Sequence, residues 1–226
     1  MSLRNAARLA RRELRGGLRG FRIFLACLAL GVGAIAAVQS VAGGIRSSIA
    51  EDGQAILGGD VELHRLYQPA TAAERTRFEA AGRVSEVVET RGMARSPRDE
   101  ATTLVELKAV DGAYPLYGRL ELEGGGDLQA ALAPRDGIWG AVADADVAAR
   151  LGLAAGDTIA VGDAVLQLRG TIVREPDKAG GGFSIGPRLM IARGALDASG
   201  LIQPGSMLSY DYRPALPPGT DVRAAA

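Results

Sequence analysis

Apolar and polar residues follow three rhythms along this chain, and each rhythm predicts a different kind of element. Between Arg22 and Arg46 the charged positions vanish, leaving 23 residues, Ile23 to Ile45, without a charge. At roughly 1.5 Å per residue, a helix of that length crosses a hydrocarbon core of about 30 Å. Before it, Arg4, Arg8, Arg11 and Arg15 recur at helical spacing and form one face, flanked by Leu3, Ala7 and Leu14 and ended by Gly16-Gly17. Such a basic helix can lie on anionic lipid headgroups. Inside the apolar run, Ala29, Gly33 and Ala37 recur every fourth residue, a stripe of small side chains on which another helix backbone can pack closely. Composition alone produces such a stripe in a span this rich in alanine and glycine.

Beyond the run the rhythm shortens, and strand candidates mix with short helical ones. "GDVELH" reads as a strand, as do Val84 to Met93, Thr102 to Val110 and Leu116 to Glu123. "TAAERTRFEAAG" has Thr71 as N-cap, Glu74 three residues on and Gly82 as stop, which predicts a short helix closed by a capping box. Asp144 caps a second helix that pairs Val147 with Leu151 and ends at Gly152. Gly156-Asp157 then turns into a strand. Gly162-Asp163 is a two-residue link, and beyond it Leu166 and Leu168 alternate with Gln167 and Arg169, the pattern of a half-buried hairpin. The fold class is therefore α+β: one N-terminal transmembrane helix followed by a mixed α/β domain with β-hairpins. Three segments follow: 1–20 as a basic amphipathic helix, 21–45 as the membrane helix and 46–226 as the outer domain.

Charge orients this arrangement. The formal net charge is zero, yet seven arginines against Glu13 fill the first 22 residues, whereas Glu51, Asp52, Asp60 and Glu62 follow the span. The positive-inside rule puts the N-terminus in the cytoplasm and the main domain outside. A cleaved signal peptide is the competing reading, with a small-residue site at Ala34-Ile35-Ala36; the apolar run continues well past it, and the basic region is long for a signal. Cys27, the only cysteine, excludes an intrachain disulfide and a cysteine-based zinc site, and reads as a small apolar residue of the helix. The single histidine, His64, excludes the His-rich metal clusters and reads as a strand-face residue, on the surface or in a pocket. Residues 1–20 of the basic stretch hold no aromatic residue to stack on bases, so no nucleic-acid partner is expected.

No catalytic, cofactor or metal constellation emerges. Asp144 and Asp146 fall in a first helical turn, where carboxylates cap and complement the dipole. Ser184 has no nearby histidine, so a nucleophilic role has little support. In "REPDKAGGGFSIGPR", Arg174 to Arg188, the glycines lack the Lys-Ser/Thr of a phosphate loop and the spacing of a dinucleotide loop. Glu175, Asp177 and Lys178 read as a solvated charge cluster. Lys178 to Gly182 is expected to be exposed and mobile, a flexible connection or partner-contact loop.

Several stretches in order, "GGDVEL", "LKAVDGAYPLYGRLEL", "LGLAAGDTIAVGDAVLQLRGTIVREPD", "FSIGPRLMIA" and "IQPGSMLSYDYR", with the basic helix and span before them, resemble the beginning of YbbP-type permease subunits. These lie within the FtsX/LolC/MacB-like group of ABC transporters. The resemblance implies a MacB-like periplasmic core domain, a place in the bacterial inner membrane, a cytoplasmic ATPase subunit as partner, contact with the lipid bilayer, and a second permease copy as a further candidate partner. It also implies lipid-like or hydrophobic substrates, no enzymatic activity in this chain, and a longer permease of which this is the N-terminal part. A single-span, membrane-anchored binding module is the alternative, and a secreted hydrolase lacks the residues it would need.

Overall fold

The computed structural model describes residues 23–41, 58–178, 186–217 and 220. Two units divide the chain, Met1–Glu51 and Asp52–Ala226. The first contributes one described helix, α1 (Ile23–Val41), long and apolar enough to cross a membrane and exposed along its whole length. Arg4, Arg8, Arg11 and Arg15 lie outside the described residues, as do Gly180, Gly181 and Gly182.

The second unit is a mixed sheet with short helices. Its elements run β1 (Leu63–Leu66), α2 (Ala72–Ala81), β2 (Arg83–Arg95), β3 (Thr102–Val110), β4 (Glu121–Leu122), α3 (Leu128–Leu132), β5 (Trp139–Ala143), α4 (Ala145–Leu151), β6 (Thr158–Val161), β7 (Ala164–Arg174), β8 (Arg188–Ala192), α5 (Arg193–Ala198) and β9 (Ser209–Ala215). The α+β class is as expected, with one N-terminal apolar helix ahead of a mixed α/β domain. Local signals account for several elements. Thr71 and Glu74 form the reciprocal capping box of α2, Gly152 ends α4 in the left-handed region at φ 61°, and Gly162, at φ 56°, starts the tight turn between β6 and β7 as type II′ geometry requires.

Three expectations need correction. "GDVELH" pairs only from Leu63 onward, because Asp60 N–H already bonds the Pro214 carbonyl at 3.1 Å in a bend. The stretch Leu116 to Glu123 contributes only the two residues of β4, since most of it drapes over the sheet instead of pairing with it. Asp144 does occupy the N-cap of α4, but its carboxylate makes no cap bond; it accepts instead from Arg188 N–H at 3.0 Å and Lys178 Nζ at 3.1 Å.

The strands follow the order β1-β9-β2-β3-β8-β5-β7-β4, and β6 pairs with both β2 and β7. That double pairing closes β2, β3, β8, β5, β7 and β6 into a ring, antiparallel except where β3 meets β8 and β5 meets β7. Strand alternation sorts the side chains to two faces. One carries the main core, with Val88, Leu107, Ala109, Ala141, Leu166, Leu189 and Ile191 packed against Val147 and Leu151 of α4 and Leu196 of α5. The opposite face divides into two zones. Val87, Val110, Val142 and Met190 are covered by Tyr114, Leu120, Leu122, Leu128 and Leu132; beside them the same face carries charge.

Candidate functional site

Register builds the charged zone. Glu89 of β2 lies opposite Lys108 of β3, Arg188 of β8 pairs with Glu106, and Asp211 of β9 lies between Val87 and His64, with Arg213 two residues further along. Onto these side chains folds the segment after β7. Glu175 and Asp177, expected as a solvated cluster, are buried at 7% and 4% exposure. The reason is the cations beneath them, which lie far away in sequence. Lys108 Nζ donates to Glu175 Oε1 at 2.6 Å, to both Asp177 oxygens at 2.8 Å and to Tyr114 Oη at 3.2 Å. Tyr114 Oη donates to Asp177 Oδ1 at 2.6 Å, and Arg213 Nη1 donates to Asp177 Oδ2. Arg188 Nη1 reaches Glu89 Oε1 at 3.1 Å, and its Nε stands 3.3 Å from Glu175 Oε2. Neither of those last two atoms has a hydrogen-bond partner, so the contact is coulombic.

Electrostatics follows from burial. Desolvation raises the Asp177 carboxyl, but Lys108, Tyr114 and Arg213 outweigh it and hold the group at about 2. Burial, reinforced by Asp177 and Glu175, pushes the Tyr114 hydroxyl well up. Burial alone would lower Arg213, yet Asp177, Glu62 and Asp211 leave it raised. The ammonium thus meets two carboxylates and a phenol, a geometry suited to the three donors of a lysine. Lys108 and Lys178 are the only lysines in the chain, and Lys178 is half exposed against Asp144.

Next to this network opens a cleft of about 460 Å³. Glu89, Glu106 and Arg188 line it beside Leu201 and Leu208, and Leu66, Tyr67 and Met207 are its most exposed apolar residues. A volume of that order with apolar walls and a few fixed charges suits a small ligand or a peptide side chain. His64 sits on a strand face, as expected, half exposed and 2.6 Å from Asp211 Oδ1 through Nδ1. Ala29, Gly33 and Ala37 all lie on α1 and are exposed; a Cβ added to Gly33 would meet nothing within 4 Å. The sequence missed Lys108, Arg188, Arg213 and the cleft. A lysine at the inner end of a strand, two residues before the buried Val110, was the one available signal.

The fold and the charged face define an α+β domain that follows an apolar helix in the sequence. Among solved structures the chain is similar to the periplasmic region of MacB from Actinobacillus actinomycetemcomitans, at 11% identity and TM-score 0.44 over 75% of this chain and 81% of that one. It is also similar to the extracellular domain of the ABC-type transporter YknZ from Gram-positive bacteria, at 10% identity and TM-score 0.47 over 73% and 88%. No family model matches. The chain is 39% identical over 114 residues to the uncharacterized ABC transporter permease YbbP of Escherichia coli (strain K12), a stretch covering 49% of this chain and 13% of that protein. This match bears out the resemblance to YbbP-type permeases; the chain corresponds to a small part of that relative's length.

Proposed function

We propose that this chain is part of the membrane subunit of an ABC transporter, in which a partner ATPase in the cytoplasm drives movement of the outer domain. The 39% identity to YbbP carries this reading, and α1 supports it as a helix able to span the bilayer. The N-terminus then lies in the cytoplasm of a bacterial inner membrane and the domain lies outside, as the arginines before the span and the acids after it favour. Segments 1–20, 21–45 and 46–226 act as surface helix, membrane helix and moving domain, and Ala29, Gly33 and Ala37 pack on a neighbouring helix, of the same subunit or of a second permease copy. The substrates are hydrophobic or lipid-like, which the apolar residues of the cleft support. A single-span binding module remains the second reading, favoured by the same cleft.

Co-expression of the permease gene with a candidate ABC ATPase gene from the same genome tests the first reading. A tagged permease is expected to bring down the ATPase from detergent extracts and to alter its rate of ATP hydrolysis. Failure of the two to copurify would favour the binding module. A reporter active only outside the cytoplasm, fused after Ala226, should give signal with Met1 to Gly20 retained; an inactive reporter would reverse the orientation.

A further inference from the structure

Glu62 and His64 are two residues apart at the edge strand β1, so they face the same way, and register sets Asp211 of β9 directly opposite His64. One donor atom from each side chain lies within 4.8 Å of the other two. Among the described residues these two carboxylates have a single hydrogen-bond donor, His64 Nδ1, on Asp211. The nearby cation does not fill the gap. Arg213 gives Nη1 to Asp177, which leaves Nη2 3.6 Å from Asp211 and 3.8 Å from Glu62, ion-pair distances beyond a hydrogen bond. Asp211 is almost wholly buried, so two like charges converge on one imidazole at the rim of a dry site.

We propose that Glu62, His64 and Asp211 bind a divalent metal ion of the zinc type, with a fourth position open to water. One imidazole and two carboxylates form a donor set that zinc accepts at about 2.0–2.2 Å, with ligand atoms roughly 3.5 Å apart. Glu62 and His64 are exposed enough to swing in by the ångström this requires, while Asp211 stays fixed. The ion takes the place of the hydrogen between Nδ1 and Asp211, and the neutral imidazole carries its proton on Nε2 instead. Bound there, it clasps the edge strand β1 to β9. The Arg213 guanidinium opposes a second positive charge and keeps the affinity near micromolar, weaker than closed structural zinc sites.

The full chain in detergent micelles, stripped with EDTA, is titrated with Zn²⁺ against a chromophoric chelator while the thermal midpoint is followed. One equivalent is expected to bind with a micromolar Kd and to raise the midpoint. His64→Ala and Asp211→Asn should each weaken binding at least about tenfold and abolish that rise, whereas Asp197→Asn, on α5, should not. His64→Ala also removes the hydrogen-bond donor on Asp211, so each variant's rise with Zn²⁺ is read against its own metal-free midpoint, which separates lost ligation from lost fold. Because His64 is the only histidine, its imidazole resonances identify the ligand directly and should move with Zn²⁺. Either no saturable binding below about 1 mM, or binding unchanged in His64→Ala with static imidazole resonances, would overturn the proposal.

Discussion

Lys108 shows how far one side chain can depart from its usual place. A lysine is almost never fully buried unless paired, and here 1% of its side chain is exposed while its ammonium touches Glu175 and Asp177. Removing one partner of such a set leaves charge stranded in a dry site, which costs about 3–5 kcal/mol. Lys108→Met should therefore lower the unfolding free energy by that order in urea melts; a loss under about 1 kcal/mol would show that the acids have another source of compensation. Asp177 adds a pH signature. Its carboxyl lies at about 2 in the fold against an ordinary 3.8, so its contribution is complete above about pH 4 and is lost as pH falls from about 4 to about 2. The contribution is about 2 kcal/mol. Stability measured across that window should fall with acid in the parent and fall less in Asp177→Asn.

The hairpin β6–β7 has a comparably strict requirement. Gly162 holds φ 56°, and a Cβ there would come 2.1 Å from the Ser199 carbonyl oxygen, so Gly162→Ala meets strain and a backbone clash together. A loss of more than about 2 kcal/mol is expected in thermal or urea unfolding; a neutral substitution would mean that the turn readily shifts. This turn was legible from Gly162-Asp163 between alternating strands, as were α2 from Thr71, Glu74 and Gly82, and β3 with its limits at Thr102 and Val110. Such elements are decided within a few residues by caps, turns and period. The burial of Glu175 and Asp177 was not legible, because their partners Lys108 and Arg213 stand 67 and 36 residues away from them. Nor was β4, where a strand-like composition serves to cover Val142 and Met190 instead of pairing along its length.

At the scale of the molecule, the closed ring sets which parts open first. Strands β3, β8 and β5 have neighbours on both sides, whereas β1 and β4 each pair on one side only. Amide hydrogen exchange should therefore be slowest in Thr102–Val110 and Arg188–Ala192 and fastest, among strands, in Leu63–Leu66. Equal protection of β1 and β3 would mean that another chain or an unmapped segment covers the edge.

The position of β9 between β1 and β2 also constrains the order of events at the ribosome. β1 finds its partner only when Ser209–Ala215 emerges, about 140 residues after Leu66. At about 5–20 residues per second that interval is about 7–30 s, during which Arg83–Glu89 of β2 lack their β9 partners and the whole of β1 lacks its own. Chains stalled at residue 200 should accordingly be cut by protease within Leu63–Leu66, while chains stalled after β9 has emerged resist there.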